Sequence, residues 1–434
     1  MLVIDHHEAE KISNYACIIN NQLCDYPTKS LSGVGMVYKF CQRIDQIMNV
    51  EYADLFLDLV ALGMVADMMD LRDYETRRLV DKGLTNIRNP YFKEMVKRQA
   101  FPLRDGITPF GIAFYIAPFV NATVRSGTQD EKLILFESML DYRGYELIPS
   151  TKKGCKGQVE TRVEQAGRNC INIKNRQTNT RDKSLDVIKR IIEEQDLLKN
   201  KILFIALGKQ YATDKNVTGL IANELANKLQ RPILILTQSE KDETLLEGSA
   251  RGYEKSELKD FKAFLHDSGY FEYTEGHANA FGAGIKVQNV FEFLDYSNNV
   301  LSKLDFSPCY RVDFLYQGSE LIPNEITEVA GYKHLWGQGV EEPLIAIENL
   351  KVHGNNVQLL SRDKNPTLKI TLPNGVSLIK FRSSEEEYEK LYSETGCVSI
   401  NLIGKPEQNN WNGIISPQIM IEDYEIVGQT KYYF

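Results

Sequence analysis

Tryptophan is nearly missing from this chain, with 2 among 434 residues, and histidine is scarce at 6. The 7 cysteines are odd in number and form no Cys-x-x-Cys pair, which excludes a zinc knuckle and points to reduced thiols rather than a disulfide framework. No apolar run approaches the ~18 residues a membrane helix needs. No basic segment followed by an apolar one marks a secretory leader, so the expected location is the cytoplasm, with no membrane partner. Positive charge is also short, at net −8. That excludes a generally basic coat for nucleic acid and leaves open a local basic groove, because the field a ligand meets is local. Internal repeats and low-complexity tracts are absent.

What remains is an ordinary globular composition, 43% hydrophobic and 25% charged, with length for two to four domains. The segment Leu2-Val3-Ile4 reads as a buried strand. Ser32-Gly33-Val34-Gly35 opens a helical pattern with Met36, Val37, Phe40 and Ile44 in phase. Leu55 to Met69 reads as a second apolar helix, and Ile107 to Phe119 as another. Thr151 to Lys183 holds 9 Lys or Arg against 3 acids and no strong apolar stripe, so it reads as a basic linker or helical connector, with an amphipathic helix beginning at Ser184. Strand Ile202–Leu207, helix Thr218–Gln230 and strand Ile233–Leu236 form a parallel crossover. Beyond Ser307 the apolar period falls to two. A hairpin around Asn374-Gly375, read as a type I′ turn, and strands near 345–352, 357–360, 398–403 and 418–426 suggest a five-stranded oligonucleotide-binding barrel. The chain is therefore read as α/β over 1–304 and β over 305–434.

Four constellations carry chemistry. Asp5-His6-His7 stands at the end of the first strand, the edge where α/β sheets place ligands. Imidazole beside carboxylate suits a divalent transition metal or activation of a water; the alternative is a strand end with two surface histidines. In Ala61-Leu-Gly-Met-Val-Ala-Asp67, an acid closes an apolar helix. Such an acid is costly unless paired, metal-bound or capping a turn. Glu275-Gly276-His277 through Gly284, with the neighbouring Gly248-Ser249-Ala250-Arg251-Gly252, reads as a pair of small-residue loops where backbone N–H groups and cations approach an anion. Asn121 and Arg125 sit in a stretch read as a loop after an apolar helix, suited to substrate contact or to plain solvation.

In this order the four motifs resemble the DHH phosphoesterase superfamily, and within it the RecJ-type single-stranded-DNA-specific exonucleases. Asp5-His6-His7 is similar to the name-giving triplet, and the Asp67 segment to a later aspartate motif. Gly276-His277 resembles the DHHA1 glycine-histidine signature, and 118–125 an arginine-bearing loop. Leu335-Trp-Gly-Gln-Gly and Trp411-Asn-Gly resemble parts of the oligonucleotide-binding domain. The resemblance implies the C-terminal part of a DHH parallel-sheet domain over 1–125, a connector over 126–199, a DHHA1 domain over 200–304 and the barrel over 305–434. It implies His6 and Asp67 as metal ligands, with Asp5 and His7 in catalysis. Asn121, Arg125, Ser249, Arg251, Gly276 and His277 would hold the strand.

The implied reaction is metal-dependent 5′-to-3′ hydrolysis of single-stranded DNA in recombination or repair, with two Mn2+ or Mg2+ ions. A non-catalytic single-strand-binding protein and an oligoribonuclease or nucleotide phosphatase of the same superfamily are the alternatives. Partners implied besides the DNA are a single-strand-binding protein or helicase. In the family, two further aspartate motifs precede the triplet, so this chain is expected to be the C-terminal portion of such a protein, with little activity unless a separate N-terminal fragment is supplied. Glu275, Phe281 and Val124 stand where the family has small residues, which loosens the expected phosphate cradle.

Overall fold

The computed structural model describes residues 1–7, 13–208, 215–392 and 396–431, and its contacts divide the chain into two compact units. The first unit comprises Met1–Pro118, Ser138–Leu147 and Arg311–Phe434; the second comprises Phe119–Glu137 and Ile148–Tyr310.

In the first unit, strand Leu2–Asp5 pairs in parallel with Cys17–Asn20, joining Asp5 to Asn20 in register. The strand is not buried as its apolar run suggested: Leu2 is exposed and Val3 and Ile4 are half-buried, because among the described residues this sheet has two strands. Helix Gly33–Met48 packs against helix Leu57–Ala66 at a glycine. A Cβ on Gly63 would lie 2.4 Å from Val34 Cγ1, so only glycine allows this approach. Pro118–Ser126, read as loop, is helical, within Ala117–Ser126. The single helix expected over 107–119 is broken into Pro109–Tyr115 and Ala117–Ser126. Two prolines, Pro109 and Pro118, each sit in a first turn, where the missing N–H costs nothing.

The C-terminal sheet has seven strands, ordered 314–317, 345–353, 396–411, 414–431, 377–381, 367–371 and 357–360. It contains every expected strand together with Phe314–Gln317, and its apolar face (Ile347, Leu368, Ile370, Leu378, Ile400, Ile419) closes the core. The long pair Gly396–Trp411 and Ile414–Lys431 turns through Asn412 (φ 53°) and Gly413 (φ 82°), the signature of a type I′ turn. The Asn374-Gly375 turn is different: Gly375 has positive φ and Asn374 does not. Gly375 N donates to Leu372 O at 2.9 Å, so Pro373 and Asn374 occupy the central positions. Proline's fixed φ selects an ordinary turn there.

In the second unit the basic stretch, read as a linker or helical connector, is helical from Arg162 onward. Arg162–Glu194 is one helix of 33 residues, absorbing the amphipathic segment expected to begin at Ser184. Thr161 and Glu164 form a capping box at its start. Its buried stripe (Val163, Ala166, Cys170, Ile173, Gln177, Ser184, Leu185, Ile188) was hidden from a hydrophobicity reading by its polar and small members. The five-stranded sheet runs 203–207, 233–238, 245–251, 280–286, 271–277. Its first pair is parallel and the rest antiparallel. One face is covered by Leu185–Ile192 and helix Lys215–Leu229. The other is packed by Phe261, Leu265, Phe281 and Phe293.

Candidate metal and strand-binding sites

The strand Leu2–Asp5 delivers three side chains whose ligand atoms, from Asp5, His6 and His7, lie within 4.8 Å of one another. Their arrangement is divided. His7 Nδ1 meets Asp5 Oδ1 at 2.8 Å, and Asn20 Nδ2 donates to the His7 carbonyl at 2.9 Å. The His7 imidazole beside Asp5 holds its carboxyl below the usual aspartate range. His6 turns the other way, with its Nε2 3.2 Å from Asp67 Oδ2. Asp67 is the C-cap of helix Leu57–Ala66, and Met68 follows in the left-handed region at φ 55°. The helix end that carries Asp67 thus meets the strand end that carries His6.

A separation of 3.2 Å is close to the ~3 Å between adjacent ligands around an octahedral cation with bonds of about 2.1 Å. Imidazole with carboxylate suits manganese. His6 is 13% and Asp67 49% exposed, so one ligand is fixed by packing and the other faces solvent. This donor pair fits a divalent metal.

The turn after Asp67 is seated on the Trp336 segment. Leu71 N donates to Gln338 O at 2.9 Å and Arg77 Nη2 to Leu335 O at 2.8 Å. Gly339, at φ 80°, would place a Cβ 2.1 Å from Asp70 Oδ1.

In the second unit the register places Arg251, Ala280 and His277 in one row, and Ser249, Gly282 and Glu275 in the next. Glu247, Gly284 and Tyr273 form a third. Paired residues share a face, so Ser249, Arg251 and His277 lie on one surface. The segment 248–251, read as a loop, is strand. Glu275–Gly284 is a hairpin whose strands are Phe271–His277 and Ala280–Lys286. Phe281 pairs with Gly276 and Ala250 on the opposite face, packed on Phe261, so the bulky residue points away from the ligand surface. Gly276 shares that opposite register and offers its backbone alone; its φ of 134° and a would-be Cβ 2.8 Å from Ala280 O require glycine.

The start of helix Lys215–Leu229 borders this surface. Thr218 Oγ1 and Ser249 Oγ are 3.1 Å apart, and the Arg251 guanidinium rests where a Gly219 side chain would be, 2.8 Å from its Cβ position. Thr218, Ser249, Glu247 and Tyr273 line a cleft of about 260 Å³. Burial and the neighbouring Glu247 and Glu275 push the Tyr273 phenol up. Asn121 and Arg125 lie on helix Ala117–Ser126, Asn121 half-buried and Arg125 exposed. Sequence reasoning missed Thr218 and Gly219. Their place at the helix start after strand Leu203–Leu207 was the available signal.

Residues 318–423 match the family model of the RecJ OB domain. The chain is 37% identical over 438 residues to a putative SPbeta prophage-derived single-strand DNA-specific exonuclease, YorK, of Bacillus subtilis strain 168, covering 99% of this chain and 74% of that protein. It is 24% identical over 436 residues to the single-stranded-DNA-specific exonuclease RecJ of the same strain, covering 98% of this chain and half (50%) of that one. The fold is that of RecJ from Thermus thermophilus, solved in complex with Mn2+, with a TM-score of 0.71 at 18% identity over 98% of this chain and 58% of that one. No helix among the described residues is long and apolar enough to cross a membrane. The motifs in order, the fold and the near-complete alignment with the prophage relative agree: the chain belongs to the RecJ family of single-strand-DNA-specific exonucleases.

Proposed function

We propose that this chain binds single-stranded DNA and hydrolyses its phosphodiester bonds from the 5′ end with a divalent cation, Mn2+ or Mg2+, at His6 and Asp67. The observation that carries the reading is the 3.2 Å approach of His6 Nε2 to Asp67 Oδ2, beside a second imidazole oriented by a carboxylate. A bound cation there supplies a nucleophile at neutral pH and charge stabilisation at the phosphoryl oxygens.

The chain's own residues do the rest. Asp5 accepts from His7 Nδ1 and fixes the ring, so His7 presents Nε2 to the attacked phosphate or its water. Ser249, Arg251 and His277, on one sheet face, hold phosphates of the strand through charge-assisted hydrogen bonds. Asn121 and Arg125 add contacts from their helix, with Gly276 contributing backbone. The barrel of the C-terminal sheet offers the strand a path. A single-strand-binding protein or helicase is the candidate protein partner, and the cytoplasm is the candidate location.

The test uses the full chain, a 5′-labelled and a 3′-labelled oligonucleotide, and Mn2+. Release of 5′ mononucleotides that His6→Ala and Asp67→Asn abolish supports the reading. Tight DNA binding with no cleavage replaces it with the non-catalytic binding protein. Faster turnover of a dinucleotide than of a long strand favours the small-substrate members.

A further inference from the structure

The first unit holds a cleft of about 440 Å³ between the segment 102–115 on one side and residues 330–334 and 407–410 on the other. None of the residues lining it belongs to the motifs behind the strand-binding reading. Its charges are already paired. Arg104 Nε lies 3.5 Å from Asp105 Oδ2, and Lys333 Nζ lies 2.6 Å from Glu407 Oε1. The cleft therefore has no net charge with which to draw in a phosphate.

Its other surfaces are of two kinds. Phe110 and Tyr115 give flat apolar faces, both from helix Pro109–Tyr115. The Phe110 ring is steadied by Phe114, with centroids 4.4 Å apart. Polar edges come from the facing segments. His334 Nδ1 donates to Gly331 O at 3.2 Å, which leaves Nε2 of the neutral ring as an acceptor. Gln408 anchors its amide nitrogen on Thr327 O at 2.7 Å, which leaves Oε1 to accept. Asn410, exposed near the end of strand Gly396–Trp411, offers both a donor and an acceptor. Aromatic faces bordered by uncharged donors and acceptors complement a heteroaromatic base.

The cleft is tied to the turn that follows Asp67. The chain leaving residues 330–334 presents the carbonyls of Leu335 and Gln338, which accept from Arg77 and from the Leu71 amide. A side chain at Gly337 would meet Leu71 Cδ1 at 2.4 Å and Pro109 Cβ at 3.4 Å. The Asp67 turn, the aromatic helix and the loop after His334 therefore converge at this glycine.

We propose that this cleft is a nucleobase subsite, in which one base of the single strand stacks on Phe110 and Tyr115 while His334, Gln408 and Asn410 meet its polar edge. The inference rests on the strand-binding reading and deepens it, adding contact with a base to contacts with phosphates.

The experiment uses the full chain, without metal, and two labelled strands of equal length followed by anisotropy at several salt concentrations. One strand has mixed sequence and the other is abasic throughout. Tyr115→Ala is expected to weaken binding of the intact strand at least about five-fold, the lower end of what one stacked base contributes. The slope of log K against log salt stays as in wild type, because a stack releases no counter-ion. On the abasic strand the variant and wild type bind alike. Tyr142→Ala, at a tyrosine 77% exposed in the same unit, binds as wild type does. Melting of the DNA-free proteins checks the fold. If Tyr115→Ala melts lower than wild type, Asn410→Ala carries the test, with a several-fold loss confined to the intact strand. Unchanged binding, an equal loss on both strands, or a loss with a shallower salt slope overturns the proposal. If the wild-type chain binds neither strand, the strand-binding reading fails by itself. Deoxyadenosine then reads the cleft: a rise in melting temperature that Tyr115→Ala removes sustains a base site, and no rise ends it.

Discussion

Replacing Gly339 with alanine tests the seat of the turn that carries Asp67. Two costs follow from the geometry. The residue sits at φ 80°, and holding a side chain in the left-handed region costs about 1–2 kcal/mol. The new Cβ would also lie 2.1 Å from Asp70 Oδ1 and 2.8 Å from its Cγ. Asp70 cannot yield freely: its carboxylate accepts from Arg72 Nη2 at 2.5 Å, Arg72 Nε at 3.0 Å and the Arg72 amide at 2.9 Å. Either that exposed ion pair breaks, which screening by solvent makes cheap, or the loop lifts. Lifting loses the Leu71–Gln338 and Arg77–Leu335 bonds, about 1 kcal/mol each.

The cheaper route costs the backbone part, about 1–2 kcal/mol, and the loss of the exposed ion pair besides. The assay is urea unfolding followed by tryptophan fluorescence. Of the two tryptophans, Trp336 is buried beside this loop and Trp411 is exposed, so the shift in emission reports Trp336. In an Asp70→Ala background the collision vanishes and the penalty of Gly339→Ala should shrink to the backbone part, about 1–2 kcal/mol. A Gly339→Ala protein within about 0.5 kcal/mol of wild type, or an equal penalty in both backgrounds, refutes the reasoning.

Asp58, 2% exposed, accepts the amides of Arg88 at 2.7 Å and Asn89 at 2.6 Å. Asp58→Ala strands both donors and should cost roughly 2–5 kcal/mol, visible as a lower urea midpoint, with Asp58→Asn milder. Gly276→Ala forces a side chain into a φ of 134° and against Ala280 O at 2.8 Å. It should distort the hairpin bearing His277 and weaken oligonucleotide binding by anisotropy without shifting the Trp336 emission. The Arg168 guanidinium beside Glu160 holds its carboxyl below the usual glutamate range. The stability from this pair is therefore fully present above the ordinary glutamate pKa and is lost as pH falls through the depressed folded value. Melting curves of Glu160→Gln should converge with wild type in that acid window and fall below it at neutral pH.

Legibility followed the range of the interactions. The triplet at 5–7, the aspartate after an apolar helix and the crossover at 203–238 depend on local pattern, and each stands where periodicity placed it. The readings that changed turned on partners far away in sequence. Gly248–Arg251 and Glu275–Gly284 are rich in small residues, which locally means loop. They are strands because each supplies the other's edge, with Ser249 opposite Gly282 and Arg251 opposite Ala280. The stretch 151–183 failed a hydrophobicity test for a core helix because Gln165, Gln177 and Ser184 occupy buried positions, a choice only packing explains.

The amino-acid sequence alone thus determined the family, because motif order and residue chemistry are properties of the chain. It also offered His6 and Asp67 as candidate metal ligands, through motifs that resemble those of the family. The tertiary structure decided which of these meet. Gly63 lets two helices touch, and Asp67 at the end of one of them lies 3.2 Å from His6. The antiparallel register turns Ser249, Arg251 and His277 to one face and Phe281 to the other. Pairing across a sheet and close approach at a glycine are set by summed long-range contacts, which no local pattern encodes.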